Sequence, residues 1–113
     1  MKLGVIGSRS FSDKEKLFRV LETYVDRTAL LVSGGAKGAD SLAECWAAEN
    51  NVLLELFLPD FSAYGRGAYR IRNERIVDNV NLIIAFWDGK SPGTKMTLDY
   101  AKKKGVEIKI IDV

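Results

Sequence analysis

Short apolar runs alternate with amphipathic stretches along the whole chain. The runs at 3–6, 29–32, 52–58, 82–87 and 106–111 read as strands, the third of them stopped by Pro59. Between them apolar residues recur at helical spacing. Ser12 predicts the start of the first helix, with Glu15 at the capping-box distance and Leu17, Val20, Leu21, Tyr24 and Val25 on one face. Residues 40–49 predict a second helix, with Leu42, Cys45 and Trp46 turned to the core. A loop over 59–67 leads to a third over 68–79, and residues 94–104 predict a fourth, closed by Gly105. The 82–87 run has no polar break, as expected of a strand covered on both faces, whereas 106–111 alternates with Glu107 and Lys109 like an edge.

Strands and helices in strict alternation predict an α/β fold, a single Rossmann-like doubly wound parallel sheet over residues 1–113. Right-handed crossovers then favour strand order 3-2-1-4-5 with helices on both faces. In that order the loops after the first and fourth strands open on the two sides of one crevice, with the loop after the second strand beside it. That is where ligands bind in open parallel sheets.

Those three loops hold most of the chain's glycine and small polar residues. They are Gly7-Ser8-Arg9-Ser10, Ser33-Gly34-Gly35-Ala36-Lys37-Gly38-Ala39-Asp40 and Gly89-Lys90-Ser91-Pro92-Gly93-Thr94. Glycine at a strand–helix junction allows close backbone approach, and the helix behind it offers free N–H groups to an anion. The second loop fits neither a Walker A motif nor a dinucleotide fingerprint, so a plain tight turn stays open beside phosphate binding. Lys37 sits badly at a positive helix end unless an anion is bound, while Asp40 suits that end by itself. Arg9 reads equally as a ligand contact or a surface ion pair.

Tyr69, Asn73, Ile76 and Val80 form the expected stripe of the third helix, with Asn73 as its polar member. Of the surrounding arginines, Arg70 and Arg75 are the candidates to reach a ligand, and Arg66 and Arg72 complete the cluster. Thr94 suits a helix N-cap as well as a ligand site. At the end of the fourth strand, Trp87 is placed to stack on a base and Asp88 to accept from a sugar or hold a metal.

Composition narrows the chemistry. The chain has 113 residues, is 47% hydrophobic and 28% charged, and carries a net charge of +2. That charge is too small for strong non-specific binding to a polyanion. No histidine is present, which excludes Ser-His-Asp and Cys-His catalysis and histidine zinc sites. Cys45 is the only cysteine and suits a reducing cytoplasm. The apolar start breaks at Ser8, too short for a signal sequence or membrane span.

Taken together, Gly-Ser-Arg-x-Phe after the first strand, Ser-Gly-Gly-Ala-x-Gly-Ala-Asp after the second, Arg-Asn-Glu-Arg in the third helix and Pro-Gly-Thr after the fourth strand resemble the YspA/YpsA-related branch of the SLOG superfamily. The likeness runs from residue 3 to residue 101. It implies a Rossmann-like domain that senses or processes nucleotides and their derivatives, related to Lonely-guy phosphoribohydrolases, molybdenum-cofactor carriers and the DNA-processing protein DprA. It also implies that Gly34, Gly35, Gly38, Asp40, Gly93 and Thr94 line the ligand site. One position departs: the catalytic glutamate of the Lonely-guy motif corresponds to Thr97 here.

The expected function is therefore binding or sensing of a nucleotide or nucleotide-like small molecule. A small hydrolase using Asp40, Asp88 or Glu74 is the alternative, and single-stranded nucleic-acid binding the next. No cofactor is certain, a magnesium ion beside the nucleotide stays open, and no membrane partner is expected. Self-association stays open too.

Overall fold

The sheet has five parallel strands in the order β3-β2-β1-β4-β5, in a computed structural model that describes residues 1–113. The strands are β1 (Lys2–Gly7), β2 (Leu30–Ser33), β3 (Leu53–Leu56), β4 (Leu82–Trp87) and β5 (Glu107–Asp112). The helices are α1 (Lys14–Glu22), α2 (Ala39–Glu49), α3 (Phe61–Tyr64), α4 (Ala68–Asp78) and α5 (Pro92–Lys104). Short 3₁₀ turns occupy Val25–Arg27 and Gly65–Gly67.

Period-two alternation divides the apolar residues between two faces. Leu3 and Val5 of β1 and Leu82, Ile84 and Phe86 of β4 pack with Leu17, Leu21, Ala43 and Trp46 from α1 and α2. Ile6, Ile83 and Ala85 pack with Ile76, Val77, Leu98 and Ala101 from α4 and α5. β4 is buried on both faces because helices cover both.

The central pairing joins segments about 80 residues apart in sequence. β1 runs beside β4 in the register Leu3↔Leu82 to Gly7↔Phe86, and beside β2 from Lys2↔Leu30 to Gly4↔Val32. The chain reverses direction across the sheet between β1 and β4, which sets their loops on either side of a crevice.

Several local expectations need correction. Helix α1 starts one residue late: Asp13 is its N-cap and accepts from the Lys16 N–H at 3.1 Å, so the Ser12–Glu15 capping box is not formed. Asp13 wins because a carboxylate accepts the amide more strongly than a hydroxyl. The helix also stops before Tyr24 and Val25, which pass into the 3₁₀ turn. The span 59–67 contains α3, capped by Asp60, whose carboxylate accepts from the Ala63 N–H and the Ser62 hydroxyl. Strand β3 ends at Leu56 and all four of its residues are exposed. Gly105, at φ 75°, closes α5 as expected.

Trp46 lies fully buried between α2 and the sheet. Replacing it with alanine removes the largest fully buried side chain. Trp46→Ala is expected to lower unfolding free energy by about 3–5 kcal/mol, read from a urea denaturation midpoint at unchanged slope.

Candidate functional site

Three loops close around a cleft of about 480 Å³ at the carboxyl ends of β1, β2 and β4. From β1 come Gly7, Ser8, Arg9 and Ser10; from the loop after β2, Ala36 and Asp40; from α4, Tyr69, Arg72 and Asn73; and from the start of α5, Ser91, Gly93, Thr94 and Thr97.

The loop after β1 is fixed by its backbone. The Ser8 N–H donates to the Phe86 carbonyl at 3.1 Å, and the Ser8 carbonyl accepts from Phe11 at 3.2 Å. Phe11 stacks on Phe86, with centroids 5.2 Å apart. Helix α2 starts directly against this loop. Gly38 has φ 76°, and a Cβ there would run into the Ser8 carbonyl, so no other residue allows the two loops to meet this closely.

Asp40, in the first turn of α2, turns back to accept from the Ala36 N–H at 3.2 Å. It is only 7% exposed, and burial pushes its carboxyl up to about 6, against the opposing pull of that hydrogen bond and of Arg72. Arg72 reaches in from α4, also 7% exposed. Its Nη1 donates to the Gly34 carbonyl at 2.5 Å and its Nε to the Asn73 side-chain oxygen at 2.7 Å. Burial lowers its pKa, but a guanidinium starts so high that it stays charged. Tyr69, 43% exposed at the rim, has the guanidiniums of Arg9 and Arg72 at 5.1 and 5.6 Å from its ring centroid.

The third wall is a hydroxyl chain. Asp88 accepts from the Lys90 and Ser91 N–H groups at 2.8 Å each, and from the Ser91 hydroxyl at 3.1 Å. The Ser8 and Ser91 oxygens are 3.1 Å apart. With the Ser91 proton spent on Asp88, the Ser8 hydroxyl donates to Ser91. These hydrogen bonds hold the Asp88 carboxyl below its usual range, the Ser91 N–H chief among them. Trp87 braces the same loop, its indole N–H donating to the Ser91 carbonyl at 3.1 Å.

The sequence-predicted residues thus fall into groups. Gly7, Ser8, Arg9, Asp40, Asn73, Ser91, Gly93 and Thr94 come together in the cleft lining. Ser33, Gly34, Gly35, Lys37 and Gly38 do not line it. The Ser33 hydroxyl donates to Glu44 at 3.2 Å, and Gly34 supplies its carbonyl to Arg72. Lys37 is exposed in front of the helix, where water solvates its charge and no anion is needed. Trp87 and Asp88 lie outside the lining too, because their polar atoms are taken up by the Ser91 loop. Arg70 pairs with Glu74 at 3.4 Å on the solvent side of α4, and Arg75 contacts the Tyr64 hydroxyl at 3.2 Å. Neither arginine nor Glu74 turns to the cleft. Thr94 is not the N-cap of α5; Ser91 holds that position and Pro92 the first turn.

Arg72 is the residue the sequence reading left among the bystanders. Its signal was present: Ala68, Arg72 and Ile76 recur every four residues, and all three are buried. Thr97, set by resemblance at a glutamate position, is buried with its hydroxyl donating to the Gly93 carbonyl at 2.9 Å.

Comparison with known proteins agrees with this architecture. Gene 61 protein of Mycobacterium phage D29 is 31% identical, with 92% of this chain and 90% of that protein covered. DprA from Streptococcus pneumoniae superposes with a TM-score of 0.85 at 19% identity, over 99% of this chain and 50% of the DprA chain. DprA from Helicobacter pylori, solved for its single-stranded DNA binding mode, superposes at 0.78 with 18% identity, over 97% of this chain and 64% of that one. The present chain therefore spans about half to two thirds of those two proteins. At such identities they show a shared fold. The model of the YspA, cpYpsA-related SLOG family matches residues 1–64, more than half the chain, and with the phage relative it establishes that this chain belongs to that family.

Proposed function

We propose that the cleft binds a nucleotide or nucleotide-derived ligand, with a phosphate at the start of α5 and the nucleoside towards Tyr69. One observation carries this reading: a buried guanidinium, a second one at the rim and the free first-turn N–H groups of a 13-residue helix converge where the loops after β1 and β4 part. The Gly93 and Thr94 amides are unpaired in their own helix, as first-turn amides are. Arg72 is held by Gly34 and Asn73, so it loses little freedom when an anion docks.

The hydrolase reading has one carboxylate in the lining, Asp40. Glycosidic cleavage ordinarily uses two. Asp99, the nearest acid to Thr97 in sequence, is exposed and paired with Lys95 at 3.1 Å. The arrangement therefore favours binding over turnover. Single-stranded nucleic acid is the second reading, favoured by the likeness to DprA and by an aromatic ring flanked by arginines at an open cleft mouth.

A saturating nucleotide, at about 100 times its dissociation constant, is expected to add about 2.7 kcal/mol of stability, read as a melting shift across mono-, di- and cyclic nucleotides and short oligonucleotides. No shift with any of them refutes the proposal. For an oligonucleotide held by this cleft alone, the affinity should fall with salt by roughly 0.7 log units per log unit for each phosphate engaged. A slope of one or two phosphates fits the cleft, and a steeper one means a longer binding track.

Gly93→Val probes the phosphate contact cleanly. Nothing lies within 4 Å of a Cβ built at Gly93, so the fold should keep its stability while the ligand-induced melting shift is lost. Gly35 is a poorer probe, since its φ of 71° and the nearby Leu58 side chain strain any substitution.

Asp40 gives a prediction in pH. Its folded pKa, about 6, lies above the ordinary 3.8, so the folded state holds the proton more tightly. The contribution of Asp40 to stability should be full below about pH 4 and be lost as pH rises through 6, by roughly 3 kcal/mol. Asp40→Asn keeps an acceptor for Ala36 and removes the charge. It should match the parent at low pH and exceed its stability at pH 8 in urea titrations.

A further inference from the structure

We propose that the outer edge of β3 is the interface of a two-fold dimer of this chain, the β3 strands of two copies pairing antiparallel to join their sheets. The two edges of the sheet differ in kind. β5 is guarded by Glu107, Lys109 and Asp112, and Lys16 and Lys109 make further contacts across it, to the Asp112 carbonyl and the Tyr24 hydroxyl. Charges of that sort block edge-to-edge pairing. β3 reads Leu-Leu-Glu-Leu and is exposed throughout, with Leu53 at 72% and, just beyond it, Leu58 at 62%. Leu54, Leu56 and Phe61 are exposed as well, so the apolar surface continues past the strand.

The backbone of β3 is ready for a partner. The Phe57 N–H donates to the Ser33 carbonyl at 2.9 Å, in the register that sets Ser33 beside Leu56. In a parallel ladder this turns the backbone groups of Leu53, Glu55 and Phe57 towards β2. Those of Leu54 and Leu56 then point outwards.

The occupant that fits is a second copy. A two-fold axis perpendicular to the sheet makes two β3 strands antiparallel and keeps each side chain on its own face. An axis through Glu55 would oppose two carboxylates, which is unfavourable. An axis through Leu54 or Leu56 sets leucine against its own copy and pairs the outward N–H and C=O groups of both strands. Glu55 is the single charge on the strand and then lies off the axis, so nothing here asks for a partner of opposite charge. The two clefts would face opposite ends of the joined sheet and both stay open.

Sedimentation velocity over a concentration series tests this, with Leu54→Pro and Ile110→Pro as variants. Proline is tolerated on an edge strand where its missing N–H faces outwards. The Leu54 N–H faces outwards by the ladder above. So does that of Ile110 on β5, because the Val113 N–H donates to the Trp87 carbonyl in the register Trp87↔Asp112. The expected result is a concentration-dependent dimer weakened at least about tenfold by Leu54→Pro and unchanged by Ile110→Pro. If circular dichroism shows Leu54→Pro to be unfolded, Leu54→Lys takes its place and should weaken the dimer likewise. A chain that stays monomeric at every concentration, or any other pattern among the variants, overturns the proposal.

Discussion

The cleft depends on a guanidinium that has been taken out of water. Arg72 is charged and nearly buried, and such a group is stable only if its donors are satisfied. The Gly34 carbonyl and the Asn73 side chain satisfy two of them. This ties α4 to the loop after β2, two segments the sheet alone would leave independent. A glycine at 34 is part of the same arrangement, because a Cβ there would sit 2.5 Å from Arg72 Nη1. The shape of the second loop and the charge inside the cleft follow from one side chain.

The opposite wall is held by hydroxyls and amides anchored on a carboxylate that lies outside the lining. Asp88 gathers two amides and a hydroxyl, Ser91 passes the chain on to Ser8, and Trp87 closes it from behind. None of these groups is left to rearrange freely when a ligand arrives. The two walls differ in electrostatic character: cationic on the α4 side, hydroxyl- and amide-rich on the α5 side, with Asp40 between them as the one acid.

Much of the architecture was legible in the residues. The unbroken Leu82–Trp87 run marked the central strand, strict alternation marked the parallel sheet, and Gly105 marked the end of α5. Of the glycines in the three glycine-rich loops, Gly7 and Gly93 border the cleft. What sequence reasoning missed has a common cause: neighbouring residues with equivalent local chemistry, separated only by tertiary packing. Ser12 and Asp13 can both cap α1; Ser91 and Thr94 can both open α5. In α4, a stripe through Tyr69 and Asn73 looks as good on a helical wheel as one through Ala68 and Arg72. Packing decides, because Ile76 seats over Gly4 of β1, with its Cγ2 3.3 Å from where a Cβ would stand. That rotation buries Arg72 and leaves Arg70 and Arg75 in water. Trp87 and Asp88 were read as ligand groups because their bonds to the next loop are invisible in one dimension.

The pairing of β1 with β4 has a consequence for how the molecule comes into being. Leu3 lies beside Leu82, and the Lys2 amide is capped by Asn81 at 2.7 Å, so the first strand waits for its second neighbour until most of the chain has been made. Contacts this distant in sequence form slowly, since a long loop must close before any of them is rewarded. During synthesis β1, β2 and α2 can meet early, yet one side of β1 stays bare until β4 emerges. No half-folded form holds a finished cleft. The cleft therefore takes shape only in the last stage of folding.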